Sequence, residues 1–347
     1  MSPGSRLSGV TLGIALLAAL SVGACQATAT QTSSPTVRPH VRIGGFAAGA
    51  GSLAIVMDKL GIFRNDGIDA EFVNFPDSTV ATSALVGGQI DFLVASNDRP
   101  VINAEAGGPP FQVVLGLAQR PPWTWLVHSD APLKQGDPIR KLRGLTIGDG
   151  GPNTTQRYAE RYLLSQAGLN PDRDVQFKVM PQDAASAIAA FERNDVDLLS
   201  AIEPTTASIL ARQTGRTYLD LRSSDSPVAF ASKESLVART DYISKNDQLV
   251  GRVVVAACNS VKDAKSDPHR VAQLLSAYYR TQGLTLDASQ NDQMLQGVLA
   301  DSSRWGGQID IAGWTKWETL LEQEGFVKHH YDVKEVVATQ YAASWSC

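Results

Sequence analysis

The residues with the clearest capacity for chemistry lie in the stretch Ile147-Gly148-Asp149-Gly150-Gly151-Pro152-Asn153-Thr154-Thr155. A strand, a glycine turn and a helix N-terminus, in that order, present free backbone N–H groups and the positive end of a helix dipole. Glycine lets a ligand come close to the backbone, and the side chains of Asn153, Thr154 and Thr155 add donors. The chemistry implied is capture of an anion or polar group. An Asn-capped Gly-Pro turn with no ligand is the alternative. The stretch has neither the lysine of a phosphate-binding P-loop nor the spacing of a dinucleotide fingerprint, so no cofactor is expected.

Nothing else in the chain assembles into a catalytic set. There is no GxSxG elbow and no HExxH, and Gly148 to Pro152 holds no serine at the position of a protease nucleophile. His329-His330 beside Asp332 reads as a solvated helix end, and Cys258 and Cys347 lie too far apart for metal-ligand spacing, so no metal is expected. The same two cysteines are read either as a disulfide tying the chain end to an upstream helix or as separate thiols. Arg120, at a strand end, is the best-placed cation, and Arg99 is the other. Glu203 lies opposite Arg120, and a salt bridge between them is the bland reading of both. Trp123 and Trp125 alternate on an extended segment, which fits either stacking on a ligand or packing between lobes. Trp314 and Trp317 read as helical core.

These residues need elements to hold them, and the chain supplies a repeated one. Ala84 to Asn97, ALVGGQIDFLVASN, is a helix tail, a break, then a short apolar strand led by Asp91 and ending at Ser96-Asn97. Ala190 to Glu203, AFERNDVDLLSAIE, repeats it, with the strand led by Asp197 and ending at Glu203. In open α/β sheets, ligands sit beyond the carboxyl ends of strands, so two such units point to two lobes facing one cleft. Chance likeness of two ordinary αβ units is the alternative. From Val41 to Ala118 the pattern is β-α-β-α-β-α-β, with Asp77-Ser78-Thr79 capping a helix that runs to Val86. A second series starts at Leu145, and Trp123 to His128 and Val228 to Val237 are expected to cross between the lobes. The last third reads as mainly helical, its final helix over Lys334 to Ser344. Two crossings between two lobes form a hinge.

The chain opens with one positive charge and an apolar run, Val10 to Ala24, that ends at Val22-Gly23-Ala24-Cys25. That run has the length of a secretory leader and is too short to span a bilayer. Small residues before Cys25 have the form of a lipobox, so the chain is expected to be exported and anchored to the membrane by a lipid on Cys25. Residues 1–24 are then a leader and 25–40 a Thr/Ser/Pro-rich tether. Residues 41–125 with 232–347 form one expected lobe, and 126–231 the other. A net charge of -4 and 43 % hydrophobic residues fit a globular domain and give no basic surplus for nucleic acid.

Several segments, in order, resemble the solute-binding proteins of ABC importers for nitrate, sulfonate, taurine and thiamine-pyrimidine precursors. They are Lys59 to Phe63 with Asp66 to Glu71, Ala84-Leu85 with Gly88 to Asp91, Leu142 to Gly148, Leu163 to Leu169, and Val196-Asp197 followed by Glu203-Pro204. The likeness implies a two-lobed periplasmic binding protein type II fold, each lobe a mainly parallel sheet flanked by helices. It implies a monomer, a small-molecule ligand in the cleft and a permease–ATPase partner. It further implies ligand contacts at Phe46, Ser52, Asp77, Ser78, Thr79, Ser96, Asn97, Gln119, Arg120, Gly151, Asn153, Thr154, Thr155 and Glu203. Asp77 departs from the small residues usual at its position, and with Glu203 it favours a larger polar organic ligand over nitrate. A sensor without transport is the main alternative. A pyrimidine-forming enzyme is disfavoured because its cysteine-rich motif and reactive histidine find no match.

Overall fold

The computed structural model describes residues 38–45, 51–231 and 234–347. The expected leader, Cys25, most of the tether and Phe46 lie outside the described residues. Ten strands form two five-stranded sheets. The first sheet contains β1 (His40–Gly45), β2 (Asp69–Asn74), β3 (Phe92–Ser96), β4 (Phe111–Gly116) and, from much later in the chain, β10 (Glu234–Arg239). The second contains β5 (Thr124–His128), β6 (Thr146–Asp149), β7 (Gln176–Val179), β8 (Leu198–Ala201) and β9 (Gly215–Asp220). The orders are β2-β1-β3-β10-β4 and β7-β6-β8-β5-β9. In each sheet the fourth strand is antiparallel to both neighbours, and the strands contributed by the αβ repeats are parallel.

The repeat seen in the sequence is a structural duplication. β3 and β8 take the same place in their sheets, and the aspartate before each does the same work. Asp91 accepts from Arg42 N at 2.8 Å, and Asp197 accepts from Thr146 N at 2.7 Å, so each carboxylate ties the third strand of its sheet to the second. The preceding break also recurs, with Gly88 at φ 71° and Asn194 at φ 59° in the left-handed region that ends a helix.

The two segments expected to cross between lobes are largely strands. β5 is paired on both sides within the second sheet, and β10 on both sides within the first. A central strand covered on both faces has the same continuous apolar run as a buried crossing segment, so pattern alone does not separate them. The described residues of the crossings are the shorter stretches 117–123 and 221–231.

Helices Asp247–Ser266, Pro268–Thr281, Ala288–Ser302 and Ile311–Gln323 make up the last third. The final helix expected over Lys334–Ser344 is instead two short 3-10 turns, Val333–Val336 and Thr339–Ser344. Helix Ala288–Ser302 packs against both Pro268–Thr281 and Thr205–Ala211. Trp314 is buried in a cluster that draws on both sheets and Trp317 in a second cluster on the second sheet, so helix Ile311–Gln323 serves both clusters. Cys258 and Cys347 are joined as a disulfide with Cα atoms 5.2 Å apart, fixing the chain end to helix Asp247–Ser266. No helix among the described residues is long and apolar enough to cross a membrane.

Candidate ligand-binding site

Between the strand ends of the two sheets lies a cleft enclosing about 870 Å³ of empty space out to its mouth. The first sheet contributes Leu93, Val94, Ala95 and Ser96 of β3 and Glu234 of β10, and helix Ser78–Val86 adds Asp77, Ser78 and Ala81. The second contributes Gly150, Thr154, Thr155 and Gln156 from the turn after β6, with Gln182 and Ile202. Pro122 and Trp123 of the first crossing close one wall, and Arg99 completes the lining.

Of the residues expected in the site, Asp77, Ser78, Ser96, Thr154 and Thr155 meet in this cleft. Asp77 holds its helix by accepting from Thr79 N and Val80 N at 2.8 and 2.9 Å, the N-cap role its position predicted. Thr79 is exposed beside it. Asn97 is buried behind the lining, and Ser52 is hydrogen-bonded to Tyr279 Oη at 2.9 Å.

The glycine turn differs from the open anion cradle its sequence suggested. Gly150 N donates to Gln156 Oε1 at 3.1 Å, and Gly151 N donates to Asp149 Oδ1 at 2.8 Å. Asp149 is itself buried and paired with Arg157. Gly151 sits at φ 99° and Asn153 at φ 58°, and Asn153 accepts from Tyr158 Oη at 3.3 Å. The turn is therefore closed on itself, and it shows the cleft the side chains of Thr154, Thr155 and Gln156. Nearby, burial and Asp149 push the Glu160 carboxyl well above its ordinary range.

Gln119, Arg120 and Glu203 are drawn away to a charged knot at the crossings. Gln119 Nε2 donates to the carbonyls of Gly306 and Gln308 at 2.9 and 2.6 Å. Arg120 donates to Arg222 O at 2.7 Å and Ser303 Oγ at 2.9 Å. Arg304, fully buried, reaches Arg120 O, Glu234 and Asp301. Glu203 pairs with Arg222 at 3.2 Å and accepts from Ala207 N. Burial and Asp301 still push it up to about 7, against the pull of those two donors. The stretch 301–308 thus braces the first crossing, and Arg120 ties that crossing to the second through Arg222 O. Gly116, at its edge, has no room for a Cβ, which would meet Gln308 O at 2.3 Å.

The second cation weighed in the sequence, Arg99, is the one the fold places in the cleft. It follows β3, is 8 % exposed, and makes no hydrogen bond or ion pair among the described residues; its Nε is buried without a partner. Asp98 beside it is fully buried and directs its oxygens elsewhere, accepting from Thr155 Oγ1 at 2.8 Å and Trp317 Nε1 at 3.0 Å. The Asp98–Thr155 contact links the end of a first-sheet strand to the start of a second-sheet helix. Behind it, burial and Asp98 push Glu318 up to about 8, against a hydrogen bond from Trp314 Nε1. Trp125 turns into the second core and stacks on Tyr218, whereas Trp123 faces the cleft. Glu234, Gln156 and Gln182 had no signal in the sequence; only folding brings them to the strand ends.

The model of the NMT1-like family matches residues 35–276, well over half of the chain. No curated protein sequence matches. Among solved structures, the alkanesulfonate-binding protein SsuA from Xanthomonas axonopodis pv. citri, bound to MOPS, superposes with a TM-score of 0.70 at 17 % identity, covering 86 % of this chain and 97 % of that one. The periplasmic aliphatic sulphonate-binding protein SsuA from Escherichia coli gives 0.67 at 19 % identity, covering 88 % and 99 %. The periplasmic nitrate-binding protein NrtA from Synechocystis PCC 6803 gives 0.68 at 14 %, covering 89 % and 88 %. Two mixed sheets in this strand order, a cleft at their strand ends and the family match agree: the chain belongs to the NMT1-like family and has the periplasmic binding protein fold.

Proposed function

We propose that this protein is the lipid-anchored solute-binding component of an ABC importer, capturing a small polar organic molecule of the sulfonate or taurine type by closing its two lobes. The observation that carries the reading is the cleft itself, whose polar side chains come from the strand ends of both sheets. A solute touching Ser78 and Ser96 on one side and Gln156 and Gln182 on the other favours the closed arrangement by its contacts to both. The similar sulfonate- and nitrate-binding proteins support the solute class, and the hydrogen-bonding side chains gathered in the cleft suit a polar solute. The role places the protein on the outer face of the membrane, as a monomer that meets a permease.

Thermal unfolding of the domain from residue 38 onward, against taurine, alkanesulfonates, aromatic sulfonates and nitrate, tests the capture. A ligand at a hundred times its Kd adds roughly 2.7 kcal/mol, a rise of a few degrees for a domain of this size. A flat response to every class, from protein refolded free of carried-over solute, would sink the reading. The anchor is tested separately: Cys25→Ser in the full chain moves the protein from the membrane to the soluble fraction, and unchanged partitioning removes the lipid from the account.

A further inference from the structure

We propose that Arg99 is the anion anchor of the cleft, and that the captured solute is an organic monoanion whose carboxylate or sulfonate meets this guanidinium while an apolar body lies along Leu93, Ala95, Trp123 and Ile202. The proposal rests on the solute-capture reading and adds to it a residue and a charge.

A guanidinium stays charged in a protein, and withdrawing it from water without a counter-ion is costly. Arg99 is more than nine-tenths buried, yet it has no ion pair or hydrogen bond among the described residues. Burial accordingly pulls its proton affinity down, with Asp98 opposing from a distance. The acids that might have neutralised it are committed to other donors. Asp98 accepts from Thr155 and Trp317, Glu234 from Arg304 at 2.6 Å, and Asp77 from the N–H groups of its own helix. A buried cation kept in this condition at the wall of a cleft has its partner in what enters the cleft.

The same side chains limit the guest. The planar fork of arginine suits the paired oxygens of a carboxylate or sulfonate. A second negative charge on the solute would find no other cation among the described residues lining the cleft, and it would face the carboxylates of Asp77 and Glu234. The rest of the wall is largely aliphatic and indole surface, which favours a body of alkyl or aryl carbon over a bare inorganic ion.

The test is a calorimetric titration of wild type, Arg99→Lys and Arg99→Met with benzoate, benzenesulfonate, hexanesulfonate and taurine. The neutral analogues benzamide and benzenesulfonamide, with sulfate and nitrate, complete the set. Wild type is expected to bind at least one organic monoanion, with its neutral analogue and sulfate at least ~10-fold weaker. Arg99→Met is expected to weaken that monoanion roughly 100-fold and Arg99→Lys less, since the ammonium keeps the charge and loses the fork. Unliganded Arg99→Met should melt above wild type, because a buried unpaired charge has been removed; this readout also reports that the variant folds. Binding of the monoanion by Arg99→Met within about threefold of wild type overturns the anchor and leaves solute capture intact. Preference of wild type for a neutral analogue or for sulfate overturns the monoanion. Absence of binding by every probe to wild type removes the capture reading and the anchor together. Which monoanion binds best separates a carboxylate from a sulfonate guest.

Discussion

Glu318 is the residue whose charge the fold most directly controls. With its carboxyl pushed up to about 8 by burial and by Asp98, the native protein holds a proton that the unfolded chain releases near the ordinary carboxylate pKa of about 4.3. The native state then binds more protons than the unfolded one across that window. Stability from this group is complete below about pH 4 and is lost as the pH rises toward 8. Each tenfold in proton affinity corresponds to ~1.4 kcal/mol, so the loss is on the order of a few kcal/mol. Glu203, up to about 7, has the same sign. Glu318→Gln keeps an acceptor for Trp314 and should melt higher than wild type at pH 8 while the two converge as the pH falls to about 4. Melting curves over that range decide it, and identical profiles would mean that Glu318 is ionised in the fold. At this scale the sequence was a partial guide. Arg120 and Arg99 both follow strands, and nothing local says which guanidinium finds carbonyl partners. Arg120 finds Arg222 O and Ser303; Arg99 finds none, and that difference is made more than a hundred residues away.

At the scale of elements, the aspartate that leads each repeated strand is a small test of the duplication. Asp197 contributes one hydrogen bond from Thr146 N on an exposed side chain, and Asp91 adds to the corresponding bond an ion pair with the Arg42 guanidinium. Asp197→Ala is therefore expected to cost about 1 kcal/mol and Asp91→Ala about 2 kcal/mol. Urea unfolding of the two variants measures both, and equal costs would mean that the Arg42 pair contributes nothing. The repeat was legible because its helix break and strand lie within fourteen residues, where local backbone preference is written into the side chains. β5 and β10 were misread because their identity as strands comes from neighbours elsewhere in the chain: β8 and β9 for one, β3 and β4 for the other. The glycine turn was right as a turn and wrong as a cradle. Its N–H groups are taken by Asp149 and Gln156, and side-chain reach of that kind is decided only when the helix has formed.

Across the whole molecule, the two sheets are less independent than a pair of lobes joined by two strands of chain. Helix Ala288–Ser302 reaches Thr205–Ala211, helix Ile311–Gln323 gives one tryptophan to each of the two buried clusters, and the stretch 301–308 grips the first crossing, which Arg120 ties to the second. The position of β10 has a further consequence, for the order in which the molecule comes into being. β3 and β4 are not neighbours; the space between them is filled by residues 234–239, which follow the entire second sheet in the chain. As the chain emerges from its N-terminal end, the second sheet has all five of its strands by residue 220, while the first still has an open slot between β3 and β4. The half that is written first is the half that is finished last.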